Sequence, residues 1–124
     1  MATTQEMNLC IAVCTDCARH CRSYAEDCRN MGSPGMDECA RRCEESANTC
    51  EKNAVTLRQG STDLCGSCAQ ACDRCAAECE QFNLEFARRC AKMCRECAES
   101  CRATAGILQA GKPLSQQRAR HADR

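Results

Sequence analysis

The sequence predicts an all-α protein, an antiparallel up-down-up-down four-helix bundle with a Cys-lined interior. Its 17 cysteines recur at alternating steps of three and four, the period of a single helical face. Clusters of Gly, Ser, Pro and Asp cut that stripe into four segments joined by short connections. Alanine is abundant and β-branched residues are few, which favours helix throughout.

The first segment carries Met7, Cys10, Cys14, Cys17, Cys21, Tyr24, Cys28 and Met31 on one face. Gly32-Ser33-Pro34-Gly35 ends it, because Gly can close a helix and Pro cannot continue one. The second runs through Met36, Cys39, Cys43, Ser46, Cys50, Asn53 and Leu57. Gly60 stops it, and Ser61, Thr62 and Asp63 supply N-cap candidates for the next. The third holds Cys65, Cys68, Cys72, Cys75, Cys79 and Phe82. After a tight connection near Asn83, the fourth holds Cys90, Cys94, Cys97 and Cys101, extended by Thr104 and Leu108 and closed by Gly111-Lys112-Pro113. Four helices of about 20–25 residues are expected, with short loops that make neighbours antiparallel. Asp37/Arg41, Glu38/Arg42 and Arg22/Glu26 are spaced for ion pairs along a helix surface. The bundle is expected over residues 1–111, and residues 112–124 as a basic flexible C-terminal tail.

Composition narrows the function. Leu, Ile, Val and Phe together number 12 in 124 residues, and Trp is absent, so an ordinary aliphatic core cannot form. The 17 Cys and 19 Ala must fill that interior. Lys+Arg and Asp+Glu balance at 17 each, which gives no basic surface for nucleic acid. No run approaches the roughly 20 apolar residues of a membrane span. The N-terminal MATTQEMNLC has no Lys or Arg before a hydrophobic run, so a secretory signal is not expected. A cytoplasmic location with reduced thiols follows as the expectation. An odd number of cysteines also forbids complete intramolecular disulfide pairing.

Seven cysteine pairs are four residues apart: Cys10/Cys14, Cys17/Cys21, Cys39/Cys43, Cys68/Cys72, Cys75/Cys79, Cys90/Cys94 and Cys97/Cys101. Cys28, Cys50 and Cys65 continue the same stripe, so every Cys is expected to face the interior. On a helix, Cβ atoms at this spacing lie about 5–6 Å apart. A disulfide needs about 3.8 Å, so bridging within a helix strains it. A linear S–Cu–S unit with bonds of about 2.2 Å, slightly shorter than Zn–S, needs sulfurs about 4.4 Å apart, which helical CxxxC can supply. Soft thiolates also suit Cu(I). Four Cys₄ zinc sites would bury a charge of about −8 with no Lys or Arg on the seam. One Cu(I) per thiolate is neutral, and loading then depends on loss of thiol protons. Iron–sulfur spacings such as CxxCxxC are absent. A redox CxxC reading fails on specificity: Cys14/Cys17, Cys65/Cys68, Cys72/Cys75 and Cys94/Cys97 have the spacing, three of them fall well inside the stripe, and only Cys65/Cys68 lies near a helix start. No catalytic constellation is visible, since His20 and His121 alone cannot build one, and no enzyme is expected.

The segments CIAVCTDCARHC, CGSCAQACDRCAAEC and CAKMCRECAESC resemble those of the bacterial copper storage proteins, and the missing leader is similar to their cytosolic branch. The resemblance covers about residues 7–105. It implies a Cys-lined bundle with many Cu(I) ions along its axis, each CxxxC pair chelating one ion and further thiolates bridging. A homotetramer, and a copper donor or acceptor protein as partner, are likewise implied by the resemblance alone. Some relatives have a His-rich connection between the third and fourth helices; here that stretch is EQFNLEFARR. The expected function is a Cu(I) store, with a general Zn, Cd or Ag sink as the alternative.

The bundle's two ends differ. The first and third loops share an end with Met31, Met36, Phe82, Leu84 and Phe86. There Met31 and Met36 are candidate exchangeable ligands at the point where copper passes in, or simple core caps. The other end gathers Met7, Leu57, Leu64, Ile107 and Leu108, which reads as an aliphatic plug. His20 and Met93 flank the stripe. Ser46 and Asn53 lie on it, either hydrogen-bonded inside or facing water at a frayed end.

Overall fold

The computed structural model describes residues 2–106. Four helices follow in order: α1 (Thr4–Met31), α2 (Met36–Arg58), α3 (Cys65–Cys79) and α4 (Glu85–Ala105). Each packs on its chain neighbour, and α1 also packs on α4, which closes a four-sided bundle around the stripe. All 17 cysteines are buried and free, so the interior is a column of thiols. No described helix is long and apolar enough to cross a membrane.

The helix ends show where sequence signals prevailed and where they did not. Thr3 caps α1 in a capping box: its hydroxyl accepts from the Glu6 backbone N–H (3.1 Å), and its own N–H donates to the Glu6 carboxylate (2.8 Å). Thr-x-x-Glu was the available signal for that cap. Ser61, Thr62 and Asp63 do not cap α3. Leu64 holds the N-cap position without a side-chain bond, while the Ser61 hydroxyl accepts from the Asp63 N–H. The helix starts at its first thiol, the buried Cys65, without the side-chain cap that would be worth about 1 kcal/mol. With 15 residues, α3 is shorter than expected. α4 ends before Leu108: Gly106 adopts a left-handed φ of 73°, which a side chain would resist, and closes the helix after Ala105. Leu108, Gly111 and the expected tail 112–124 lie outside the described residues.

With so few large side chains, close packing depends on alanine. Ala18 and Ala25, Ala40, Ala47 and Ala54, Ala69 and Ala76, and Ala91 and Ala98 are all buried, each set at heptad spacing beside the thiol stripe. A methyl at these positions lets neighbouring helices approach until sulfur meets sulfur. Charged residues zip the outside: Arg29 pairs with Glu44 (2.8 Å), Arg74 with Glu45 (3.2 Å), and Arg95 with both Asp73 (3.2 Å) and Glu80 (2.9 Å). Of the expected pairs along a helix, Glu38–Arg42 forms at 3.0 Å. Arg22 instead reaches across to Glu51, and Arg41 pairs with Glu38. Such exposed pairs contribute about 0–1 kcal/mol each.

Candidate metal centre

Helical periodicity aims each thiol at the axis, and the alanine seams bring four such rows together. The result is four groups of four sulfurs: Cys14, Cys68, Cys97 and Cys101; Cys17, Cys50, Cys72 and Cys97; Cys21, Cys75, Cys90 and Cys94; and Cys43, Cys75, Cys79 and Cys90. A group of three, Cys10, Cys65 and Cys101, stands at one end. Within each group all sulfurs lie within 4.8 Å of one another. Cys75, Cys90, Cys97 and Cys101 each belong to two groups, so the column branches and shares corners.

The closest partners are mostly on different helices. Cys75 and Cys43 are 3.3 Å apart, Cys68 and Cys50 3.5 Å, Cys21 and Cys94 3.5 Å, and Cys14 and Cys101 3.7 Å. Among the expected CxxxC pairs, Cys17 and Cys21 are in contact at 3.9 Å. The working unit is thus a cluster spanning helices as much as a pair within one. Sequence spacing shows the axial repeat along a helix and cannot show lateral register. A tetrahedral metal with bonds of about 2.3 Å needs sulfurs about 3.8 Å apart, and a two-coordinate one about 4.4 Å. The first matches these separations as they stand, and the second is reached by a shift of about half an ångström.

Cys28 and Cys39 lie outside the groups, at the end formed by the first and third loops. The Cys39 thiol approaches Cys79 at 3.7 Å and donates to the Tyr24 hydroxyl at 3.4 Å. Met36 is buried there, whereas Met31 is 44% exposed. Met93 is half-buried against the core, and His20 is exposed. The two polar residues on the stripe are buried and hydrogen-bonded within. Ser46 lies 3.4 Å from Cys72 and 3.7 Å from Cys21. The Asn53 amide donates to Cys14 (3.5 Å), Cys65 (3.7 Å) and Cys101 (3.5 Å) and accepts from Cys65 through its oxygen. Removing it strands three sulfurs that now accept a donor. Asn53→Ala is expected to lower unfolding free energy by about 1–3 kcal/mol, read from the urea midpoint.

Among the described residues, no buried side chain carries a formal positive or negative charge; Ser46, Asn53 and Thr104 are the buried polar ones. Ionisation inside is therefore governed by the thiols themselves. In each group one thiol is pulled down and the others are pushed up. Cys14 is lowered by hydrogen bonds from Cys10 and Cys101, Cys72 by Cys17 and Cys50, and Cys65 falls to about 3 through Cys10 and Cys101. Cys97 is raised by its contacts with Cys101 and Cys14, and Cys17 is pushed up to about 11 by its contact with Cys21. Burial raises Cys28. A first thiolate is thus solvated by neighbouring S–H donors, and each further one meets repulsion in a dry interior. A monovalent cation arriving as each proton leaves removes that repulsion.

The sign of the alkaline response follows. A thiol raised in the folded state stays protonated while the unfolded chain ionises from about pH 9. Its stabilisation is complete below pH 9 and lost as pH rises through the folded value, about 11 for Cys17. The lowered thiols act oppositely: their contribution is present above pH 9 and lost as pH falls, toward about 3 for Cys65. With most thiols raised, the metal-free protein is expected to melt at progressively lower temperature between pH 9 and 11. Circular dichroism melts across that range check it.

A protein-family model described as Copper storage protein matches residues 3–106. No curated protein matches the chain. Among solved structures, it is similar to the Nmul_A1745 protein from Nitrosospira multiformis, 31% identical, with 84% of this chain and 98% of that one covered at a TM-score of 0.74. It is also similar to a Cu(I)-bound copper storage protein, BsCsp3, at 28% identity, 81% and 98% coverage and a TM-score of 0.73. A cytosolic copper storage protein from Streptomyces lividans, determined with five coppers, is 26% identical, with 86% and 97% coverage and a TM-score of 0.75.

Proposed function

This chain belongs to the copper storage protein family, and on that premise we propose that it is a cytosolic, non-catalytic store holding many Cu(I) ions, about one per cysteine, through thiolates along the bundle axis. The ligands are Cys10, Cys14, Cys17, Cys21, Cys28, Cys39, Cys43, Cys50, Cys65, Cys68, Cys72, Cys75, Cys79, Cys90, Cys94, Cys97 and Cys101. One observation carries the reading: a continuous column of buried, unbridged thiols with no charged side chain among them. In such an interior each Cu(I)–thiolate is neutral, whereas a divalent ion in four thiolates leaves a charge of about −2. Shared corners such as Cys97 and Cys75 suit bridging thiolates that join neighbouring ions into clusters.

The described cytosolic role of the Streptomyces lividans relative supports the same location here. A homotetramer would cover the exposed Leu9 and Val55 of α1 and α2. A donor or acceptor protein would bring copper or take it away. A zinc, cadmium or silver sink is the second reading, favoured by the tetrahedral match of the four-thiol groups. Equilibrium dialysis of the reduced protein against Zn(II) and chelator-buffered Cu(I) together, followed by elemental analysis, separates them. Copper alone in excess of ten ions per chain supports Cu(I) storage. About four zinc ions retained against copper supports the alternative.

A further inference from the structure

The row of sulfurs on α2 is broken midway. Between Cys43 and Cys50 the stripe passes through Ser46, a buried hydroxyl. The Cys21 thiol donates to that oxygen at 3.7 Å, and the Cys72 sulfur lies 3.4 Å from it. Beside this break, three sulfurs from α1 and α4 meet one another. Cys21 and Cys94 are 3.5 Å apart, Cys17 and Cys21 3.9 Å, and Cys17 and Cys94 4.0 Å. All three are fully buried. The trio joins two of the four-thiol groups: Cys17 comes from one, and Cys21 and Cys94 come from the other. On its α2 side it meets an oxygen, a poor partner for a soft ion, where a further thiol would stand.

Charge decides what three thiolates can hold in such a place. Around one ion they leave about −2 with a monovalent cation, about −1 with a divalent one and no charge with a trivalent one. Among the described residues no charged side chain is buried, so the neutral product is the one favoured here. A trivalent ion with a lone pair binds three sulfurs as a pyramid. With bonds of about 2.3 Å, close to Zn–S, and angles a little above 90°, its sulfurs stand about 3.4 Å apart. Cys21 and Cys94 already have nearly that spacing, and Cys17 needs to close on them by about half an ångström.

We propose that the protein also binds trivalent arsenic, taken up as arsenous acid, As(OH)₃, at Cys17, Cys21 and Cys94. In the reaction three S–H and three As–O bonds break and three As–S bonds form. Each thiol proton leaves with one hydroxyl as water. Arsenic stays trivalent and sulfur stays reduced, so no oxidant or reductant is consumed. The acid is small and uncharged at neutral pH, so it enters a dry interior without the cost of burying a charge. Both the acid and its thiolate product are neutral, so the site adds no charge to the column.

Two experiments test the site on the full chain. First, the reduced apoprotein is mixed anaerobically with one equivalent of sodium arsenite, and X-ray absorption at the arsenic edge reads the neighbours of the ion. Three sulfurs and no oxygen are expected, with a mass gain of one arsenic less three hydrogens in native mass spectrometry. Retained oxygen neighbours, or no arsenic bound, overturns the proposal. Second, the affinity for that first equivalent is measured by competition with dimercaptosuccinate in Cys94→Ala, Cys21→Ala and Cys28→Ala, each shown by circular dichroism to be helical. Loss of one of three chelating sulfurs is expected to weaken binding about a hundredfold in the first two. Cys28 lies two helical turns beyond Cys21, and its removal is expected to change binding by less than about twofold. Equal affinities in the three variants, or the larger loss in Cys28→Ala, overturns the assignment of the trio. If neither Cys94→Ala nor Cys21→Ala folds, the absorption spectrum of the unaltered protein still decides. The test is separate from copper storage: a protein that loads copper and leaves arsenite unbound loses this proposal alone.

Discussion

Saturation with Cu(I) is expected to raise the thermal midpoint of the protein by more than 20 °C, to be read by circular dichroism under anaerobic conditions. The apoprotein holds together a core of small, neutral groups; among the described residues the 31 buried apolar ones are almost all Cys and Ala. A ligand that binds the folded state alone adds about 4 kcal/mol per site at a thousandfold excess over its dissociation constant. For a domain of this size each kcal/mol moves the midpoint by several degrees, about 4–8 °C for 60–100 residues. A few tightly held ions already exceed the stated shift, and the ions here also cross-link helices, as in the group made by Cys21 of α1, Cys75 of α3 and Cys90 and Cys94 of α4. A shift of only a few degrees would mean that metal binds at the margins of the column.

The second large effect concerns shared corners. Cys97→Ala is expected to remove several copper ions at once, because Cys97 belongs to two groups and lies 3.7 Å from Cys50 and 3.8 Å from Cys14. Cys28→Ala, outside every group, is expected to remove at most one. Both variants leave helix and charge untouched, and the apoprotein cost of a lost buried sulfur is about 1–3 kcal/mol. Metal analysis of the loaded variants against the parent measures the difference. Equal losses would mean that the thiols act independently, without bridging.

Much of this was legible in the sequence because one physical pattern dominates it. A stripe such as Cys10–Cys14–Cys17–Cys21 has a single compact solution, which is to face inward on a helix. Four stripes separated by short turns then have few ways to meet. The alanine seams were equally periodic, as at Ala40, Ala47 and Ala54, yet composition hides them because alanine is common on every helix face. Lateral pairing was not legible: nothing along the chain says that Cys75 meets Cys43 or that Asn53 donates to three sulfurs. Those contacts depend on the rotation and axial offset of helices, which packing sets. The Arg22–Glu51 pair has the same origin, since a partner on the next helix outcompetes one a turn away. Side chains beside a loop are equally hard to place from sequence: Met36 is buried at its end of the bundle, whereas Met31 is exposed.

The most direct test is an anaerobic Cu(I) titration of the reduced apoprotein against a competing chromophoric chelator, with circular dichroism recorded at each addition. Helical dichroism is expected before any copper is added, with nearly constant signal throughout and an end point close to the 17 thiols of the chain. A coil-like starting spectrum, or saturation at about four ions as tetrahedral Cys₄ sites would give, would contradict it.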